Sequence, residues 1–364
     1  MPHTLAASAG TPTGGPHCCI MTEPDQFDLF AEGTPPSPAK PRRARRDGVA
    51  AARVDAEVTT LAAQLPPGVR LGTSSWAFPG WAGLVYDGDY AEAKLAREGL
   101  AAYAAHPLLR SVGIDRTFYA PIDEAAFRRY ASQVHAVAPG FRFLVKAPMR
   151  VTGPRLRSED GRWSDNPAFL DAALAAREFV LPALAGLGEH CGPLTFQFPP
   201  LGARLTRSPL AFADRLAEFL LALPRLSGAA FYAVEVRDPE LLGDDYLAAL
   251  NAGGATHALA IHARMPSAQA QGRYWRESGA LPLTVRWSLH SGFDYEAAKE
   301  RYAPFSALVD EDPEGRAQVA ALVREAVALG RDAYVIANNK AEGSAPLTLG
   351  KLAAGIVAGR SLSQ

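Results

Sequence analysis

From residue 67 onward, short apolar runs alternate with longer stretches of helical period. The runs are VRLGTSSW (69–76), LLRSVGI (108–114), FRFLVKAP (141–148), PLTFQFPP (193–200), FYAVEVR (231–237), THALAIHA (256–263), LTVRWSLH (283–290) and DAYVIANNK (332–340). They share one arrangement, an apolar strand first and polar residues at its carboxyl end. Between them, residues 123–138, 167–187, 210–223 and 313–330 repeat apolar positions at helical spacing. In the last of these, Val319, Leu322, Val323 and Val327 make the stripe of a helix packed on a sheet, and Gly330 suits its carboxyl cap. Eight strands alternating with helices predict an α/β fold, the (β/α)8 or TIM barrel, over residues 67–364. An open doubly wound sheet is the alternative. However, no GxGxxG follows the first strand and no Walker-type GxxxxGK occurs, so a nucleotide-binding version has no support.

Residues 1–66 read differently. Gly, Pro, Ser, Thr and Ala dominate the first 50 positions with no sustained period, so a disordered tail is expected. Residues 50–65 have the makings of a short helix leading into the domain, and Pro66-Pro67-Gly68 punctuates its end. Within the tail, Lys40, Arg42, Arg43, Arg45 and Arg46 crowd into residues 40–46, which reads as a solvated charge run or a phosphate contact. Gln26-Phe27-Asp28-Leu29-Phe30 is an apolar peptide with no core to join. It resembles the short motif by which bacterial proteins dock on the replicative sliding clamp, with Phe27 where Leu is usual. Leu29 and Phe30 would fill an apolar pocket and Gln26 would bond backbone.

The composition is that of an ordinary globular protein: 48% apolar, 21% charged, net charge −1. No global basic field advertises nucleic acid, and no apolar run reaches the length of a membrane span. Three cysteines, Cys18, Cys19 and Cys191, give neither a disulfide framework nor metal-ligand spacing and suit a reducing cytoplasm.

The polar residues fall at the carboxyl ends of the strands, where a barrel builds its site. They are Ser74, Ser75 and Trp76; Asp115 and Tyr119; Lys146; Gln197; Glu235 and Arg237; His262; Arg286 and His290; and Asn338, Asn339 and Lys340. Glu235 and Arg237 stand two apart, so on a strand they share a face, and a buried carboxylate beside a buried guanidinium is costly unless paired or used.

The motifs GTSSWAFPGWAGLVY, TFY, FRFLVKAP, GPLTFQFPP, YAVEVRDP and NNKAEGSAP occur in the order found in the domain-of-unknown-function 72 proteins, also called YecE-like. The resemblance covers about residues 69–357 and implies a TIM barrel without specifying an activity. Two departures stand out. The family's Glu-Ile-Asn on the second strand is here Gly113-Ile114-Asp115, and its Thr-His after the third strand is Thr152-Gly153.

No HExxH, HxH or GxSxG is present, and no metal or cofactor is specified. Credible rim acids are few, so a paired-carboxylate mechanism has little support. What the rim offers is positive charge (Lys146, Arg150, Arg237, Arg286, Lys340), amide donors (Gln197, Asn338, Asn339) and aromatic faces (Trp76, Trp81, Tyr86, Phe118, Tyr119, Trp287). That set predicts a phosphate-bearing ligand, with nucleic acid in replication or repair first and a sugar phosphate second. Glu235 would act as base or hydrogen-bond acceptor, with Lys146, Asp115 and His262 as further catalytic candidates in hydrolase or lyase-type chemistry. Lys146, Arg237, Arg286 and Lys340 would hold phosphate while Trp76 and Tyr119 stack. A barrel without chemistry that works through its tail is the third reading.

Overall fold

The computed structural model describes residues 48–158, 160–289 and 295–359. Gln26, Leu29 and Phe30, the basic run 40–46 and His290 lie outside the described residues.

The apolar runs form parallel strands β1 (Val69–Thr73), β2 (Leu109–Ile114), β3 (Arg142–Lys146), β6 (Cys191–Gln197), β7 (Phe231–Glu235), β8 (Ala255–Ile261), β9 (Leu283–Trp287) and β10 (Ala333–Ala337). Two further strands, β4 (Arg155–Arg157) and β5 (Trp163–Asp165), make a short antiparallel hairpin. The eight parallel strands close in the order β1-β10-β9-β8-β7-β6-β3-β2, so the barrel is the one expected and the open sheet is excluded. Every strand but β2, which ends with its run at Ile114, stops before its apolar run does. The polar residues therefore stand on the last one or two strand positions or in the loop beyond them, at the carboxyl mouth.

Local sequence explains the helices. Asp123 caps Glu124–His135 by accepting from the Ala126 N–H at 2.7 Å, and Gly254, at φ 64°, ends Asp244–Gly253 in the left-handed region. The helical stretch expected over 167–187 begins at Ala172 and passes through a π segment at Ala176–Val180 before Leu181–Leu187. Pro182 has no N–H to continue the regular ladder, which accounts for the local widening. The segment before the barrel joins it as well: in helix Ala56–Gln64, Ala62 is buried, and its carbonyl accepts from Arg110 at 2.6 Å.

Three apolar clusters form among the described residues. One lies between strands and helices, a second fills the barrel's amino end with Phe231, Ala233, Ala258 and Tyr334, and a small third gathers Leu289, Ala298 and Tyr302. A buried polar chain runs through the outer core on one side. Tyr246 Oη lies 3.0 Å from His257 Nδ1, and His257 Nε2 lies 3.3 Å from Gln271 Oε1. The Gln271 amide nitrogen donates to the carbonyls of Ala260 and Pro266, so its oxygen accepts from His257 Nε2–H, and the Tyr246 hydroxyl hydrogen is shared between His257 Nδ1 and the Val234 carbonyl, 3.2 Å away. Burial pushes the His257 imidazole down to about 4, against a smaller opposing effect of the Gln271 bond. Burial likewise takes His106 to about 4.

Both imidazoles are therefore neutral when folded and take up protons more readily when unfolded. Their contribution is complete above pH ~6.5 and is lost as pH falls through ~4. Acid titration of unfolding free energy should show a decline across that window, and His257→Gln should make it shallower. An unchanged slope would show that His257 is not the buried neutral base described.

Candidate functional site at the barrel mouth

Lys146, Glu235 and Arg286 come from β3, β7 and β9, alternate strands of the eight, as one layer of a barrel interior requires. Glu235 is 0% exposed and ends β7, in register with Gln197 at the end of β6. Its carboxylate lies 2.7 Å from an Arg237 terminal nitrogen and 3.3 Å from Arg286 Nε. These contacts are ionic rather than directional, because neither Glu235 oxygen accepts a well-aligned hydrogen bond among the described residues. Arg286 then reaches across the mouth to Asp115, beyond β2, in a bidentate pair at 2.9 and 3.0 Å. Arg237 also donates to Ser288 Oγ at 3.1 Å. A single charged network thus spans the ends of β2, β9 and β7.

Burial works against the charge on Asp115, but Arg286, Lys146 and Arg237 outweigh it and hold the carboxyl below its ordinary value. Burial first, and the Glu235 carboxylate second, push the Tyr246 hydroxyl well above its ordinary value, so it remains a donor. Lys146 is buried with Nζ 3.6 Å from the centroid of the Phe118 ring, a cation–π contact that fixes the ammonium near Asp115. Thr117 Oγ1 donates at 2.5 Å to the Lys146 carbonyl and at 2.8 Å to that of Ile114, tying the loop after β2 to β3.

The other expected site residues divide by what they touch. Asn338 donates to Ser74 Oγ at 3.0 Å and accepts from the Lys340 N–H, and Lys340 is buried in the same turn. Asn339 is buried; its Oδ1 accepts from Trp81 Nε1 at 3.2 Å and from the Ala345 N–H at 2.9 Å, so it pins two loops together. Tyr119 and His262 are half-buried at the mouth, Tyr119 edge-on to Phe118. Trp76 is placed in packing: its indole N–H donates to the Leu95 carbonyl at 3.1 Å, and its ring meets Tyr130 edge-on. Arg150 sits outside the network, 3.4 Å from Glu178. Glu342 is fully buried and pairs with Arg316 at 2.6 Å, away from Glu235's partners.

The two family departures fall in informative places. A side chain at Gly113 would start 3.2 Å from the Ser74 backbone and 3.5 Å from Asp115 Oδ1, so the glutamate usual there would begin beside the network. At Gly153, a Cβ would press to 3.0 Å against the Met149 carbonyl. The sequence reading missed the β4–β5 hairpin, which leaves the carboxyl side of β3 and carries exposed Arg155, Arg157 and Arg162 beside Trp163, which is 37% exposed. Arg204, in the next βα loop, reaches Asp165 of the hairpin at 3.5 Å. Its signal was present as alternating Arg-Leu-Arg and Trp-Ser-Asp around a Gly-containing turn. Cys191 opens β6 at the amino end, and burial pushes its thiol up to about 12, so it is no nucleophile.

A closed parallel barrel with its charged layer at the carboxyl mouth defines the (β/α)8 class. The chain belongs to the family described as "Protein of unknown function DUF72", whose model matches residues 70–361. Among solved structures it is similar to a DUF72 family protein from Enterococcus faecalis V583, at 16% identity and TM-score 0.53, covering 79% of this chain and 95% of that one. It is also similar to a DUF72 family protein from Thermotoga maritima MSB8, at 18% identity and TM-score 0.49, covering 81% and 99%. Among curated proteins, none matches.

Removing the Glu235 charge leaves Arg237 and Arg286 facing each other in a buried layer. Glu235→Gln should therefore cost about 3–5 kcal/mol in denaturant unfolding. Asp115 has a depressed folded pKa, so its contribution is present above the unfolded value near pH ~4 and is lost as pH falls through the lower folded value. The stability gap between the parent and Asp115→Asn should be full at neutral pH and should close below pH ~4. A gap that stays constant into acid would rule out the charge network as its origin.

Proposed function

We propose that the mouth of the barrel binds a phosphate-bearing ligand, and that this ligand is a nucleic-acid strand handled in replication or repair. One observation supports the reading: Lys146, Arg237 and Arg286 are gathered with Asp115 and Glu235 in one buried layer at the mouth, which brings three cationic side chains to a single place. Guanidinium forks match phosphate oxygens bidentately, and Lys adds a point charge. In this arrangement the Glu235 carboxylate is the counter-charge that holds the guanidinium groups from beneath. Asp115 does the same for Arg286, and Lys340 adds charge behind them. The hairpin supplies what a strand of nucleic acid needs outside the mouth: exposed Arg155, Arg157 and Arg162 for backbone, and the half-open face of Trp163 for a base. The tail peptide containing Gln26, Leu29 and Phe30 would bring the barrel to DNA by docking on a sliding clamp.

A second reading, an enzyme acting on a sugar phosphate, draws on the depth of the cations. Lys146, Arg286 and Arg237 are 3%, 4% and 6% exposed, which favours a small ligand entering the mouth. Here His262 and Tyr119 would face the substrate, and the hairpin would be dispensable.

Titration of labelled single- and double-stranded DNA at several salt concentrations separates the two readings. Affinity should fall with salt, and Arg157→Ala combined with Arg162→Ala should reduce the log–log slope by up to about two. No binding at low salt, or binding indifferent to salt, overturns the nucleic-acid reading. Thermal stabilisation by phosphorylated sugars that survives the hairpin substitutions would establish the second.

For the tail, a peptide spanning Pro24 to Glu32 should bind a bacterial sliding clamp at micromolar level. Binding unchanged by Leu29→Ala and Phe30→Ala would remove the tail from the assignment.

A further inference from the structure

At the end of the barrel opposite the mouth, three side chains from two distant segments converge. His135 closes the helix Glu124–His135 that returns from β2 to β3. Glu189 and His190 form the turn Gly188–His190 that leads into β6. Strands β3 and β6 are neighbours, so the two segments meet below the same pair. His135 Nδ1 lies 3.2 Å from His190 Nε2 and 3.4 Å from Glu189 Oε1, and the three donor atoms all lie within 4.8 Å of one another. Among the described residues this is the one group of three His, Cys, Asp or Glu side chains so gathered.

We propose that His135, Glu189 and His190 bind a divalent transition-metal ion of the zinc type. The geometry fits the chemistry closely. Zinc holds imidazole nitrogen at ~2.0–2.1 Å and carboxylate oxygen at ~2.0–2.2 Å in a tetrahedron, which sets ligand–ligand edges of about 3.3–3.5 Å. The two edges at His135, 3.2 and 3.4 Å, lie close to that spacing, and the third is no longer than 4.8 Å.

The tautomer of His190 is also fixed. Its Nδ1 lies 2.9 Å from the Phe141 carbonyl, which can only accept, so Nδ1 carries the hydrogen and the Nε2 lone pair points at the cluster. A backbone carbonyl on the far nitrogen is how metal-binding imidazoles are held in orientation. His190 is 2% exposed, so its ring is locked, whereas His135 and Glu189 stand at the surface where water can complete the coordination.

Without an ion, the one hydrogen that His135 Nδ1 can carry faces both His190 Nε2 and Glu189 Oε1. A cation serves all three donors at once. Two imidazoles and one carboxylate favour zinc, nickel or copper over magnesium, which prefers oxygen ligands throughout. The ion would clamp the end of the helix after β2 to the entry of β6, far from Glu235 and its arginines. This site does not depend on the ligand assigned to the mouth.

The test is calorimetric titration of the metal-free full-length chain with zinc chloride, in a background carrying Cys18→Ser and Cys19→Ser to remove the tail thiols. The parent should take up zinc at this site with a rise in thermal midpoint, while magnesium should give none. His135→Ala and Glu189→Ala alter exposed groups and should leave the fold intact. Each should weaken that uptake at least about tenfold and abolish the thermal shift. A His135→Ala chain that titrates like the parent overturns the proposal, as does a parent that shows no zinc-dependent shift or responds equally to magnesium.

Discussion

A carboxylate that never meets water persists in its charged form only where cations reach it, and Glu235 is such a group. Its two arginines come from different places, Arg237 from the loop beyond its own strand and Arg286 from β9. Arg286 in turn is shared with Asp115 from beyond β2. One buried charge therefore fixes the relative positions of three strand ends around the mouth. The strands supply the rigidity, and the network supplies the orientation of every group that a ligand entering the mouth would meet.

The two ends of the barrel interior solve different problems. The amino end is filled by Phe231 and Tyr334 with small residues between them, and Arg70 closes it beneath Tyr334. The carboxyl end carries charge in place of apolar bulk. Stability comes from the packed end and from the layer between strands and helices. The polar end accepts cost in return for defined chemistry, a division common to barrels of this kind. Loops around the mouth are fixed by side chains rather than left to drift. Trp81 bonds Asn339, the Tyr86 hydroxyl bonds the Trp76 carbonyl, and Thr117 bridges to Lys146. Several aromatic and amide residues that look like ligand contacts are spent in this way.

The hairpin β4–β5 stands apart from that rigid frame. It has exposed arginines, an accessible tryptophan and ion pairs at 3.5–3.9 Å to Asp160 and Asp165 that are open to solvent. Such pairs contribute little to stability. Their arginines can therefore exchange partners at small cost, whereas the guanidinium groups below them cannot.

The sequence by itself determined the barrel. Eight apolar runs with helical stretches between them allow few other arrangements, and the polar residues after each run mark the mouth because the strands are parallel. The spacing of Glu235 and Arg237 put them on one face but left open whether Arg237 neutralises Glu235 or faces a ligand, and the 2.7 Å contact appears only in the fold. The sequence could not assign Arg286 to both Glu235 and Asp115, because those residues are far apart in the chain and meet only when the barrel closes. Nor could it separate Asn339 and Trp76, consumed in packing, from Lys146, set in the charged layer, since in the sequence all three stand at the end of an apolar run. The cluster of His135, Glu189 and His190 has no motif spacing, as a 55-residue separation hides a 3.2 Å contact. Strand and helix periods are local properties of the chain. The contacts that give a buried charge its partners are set by which strands lie side by side and across from one another, and only the closed barrel decides that.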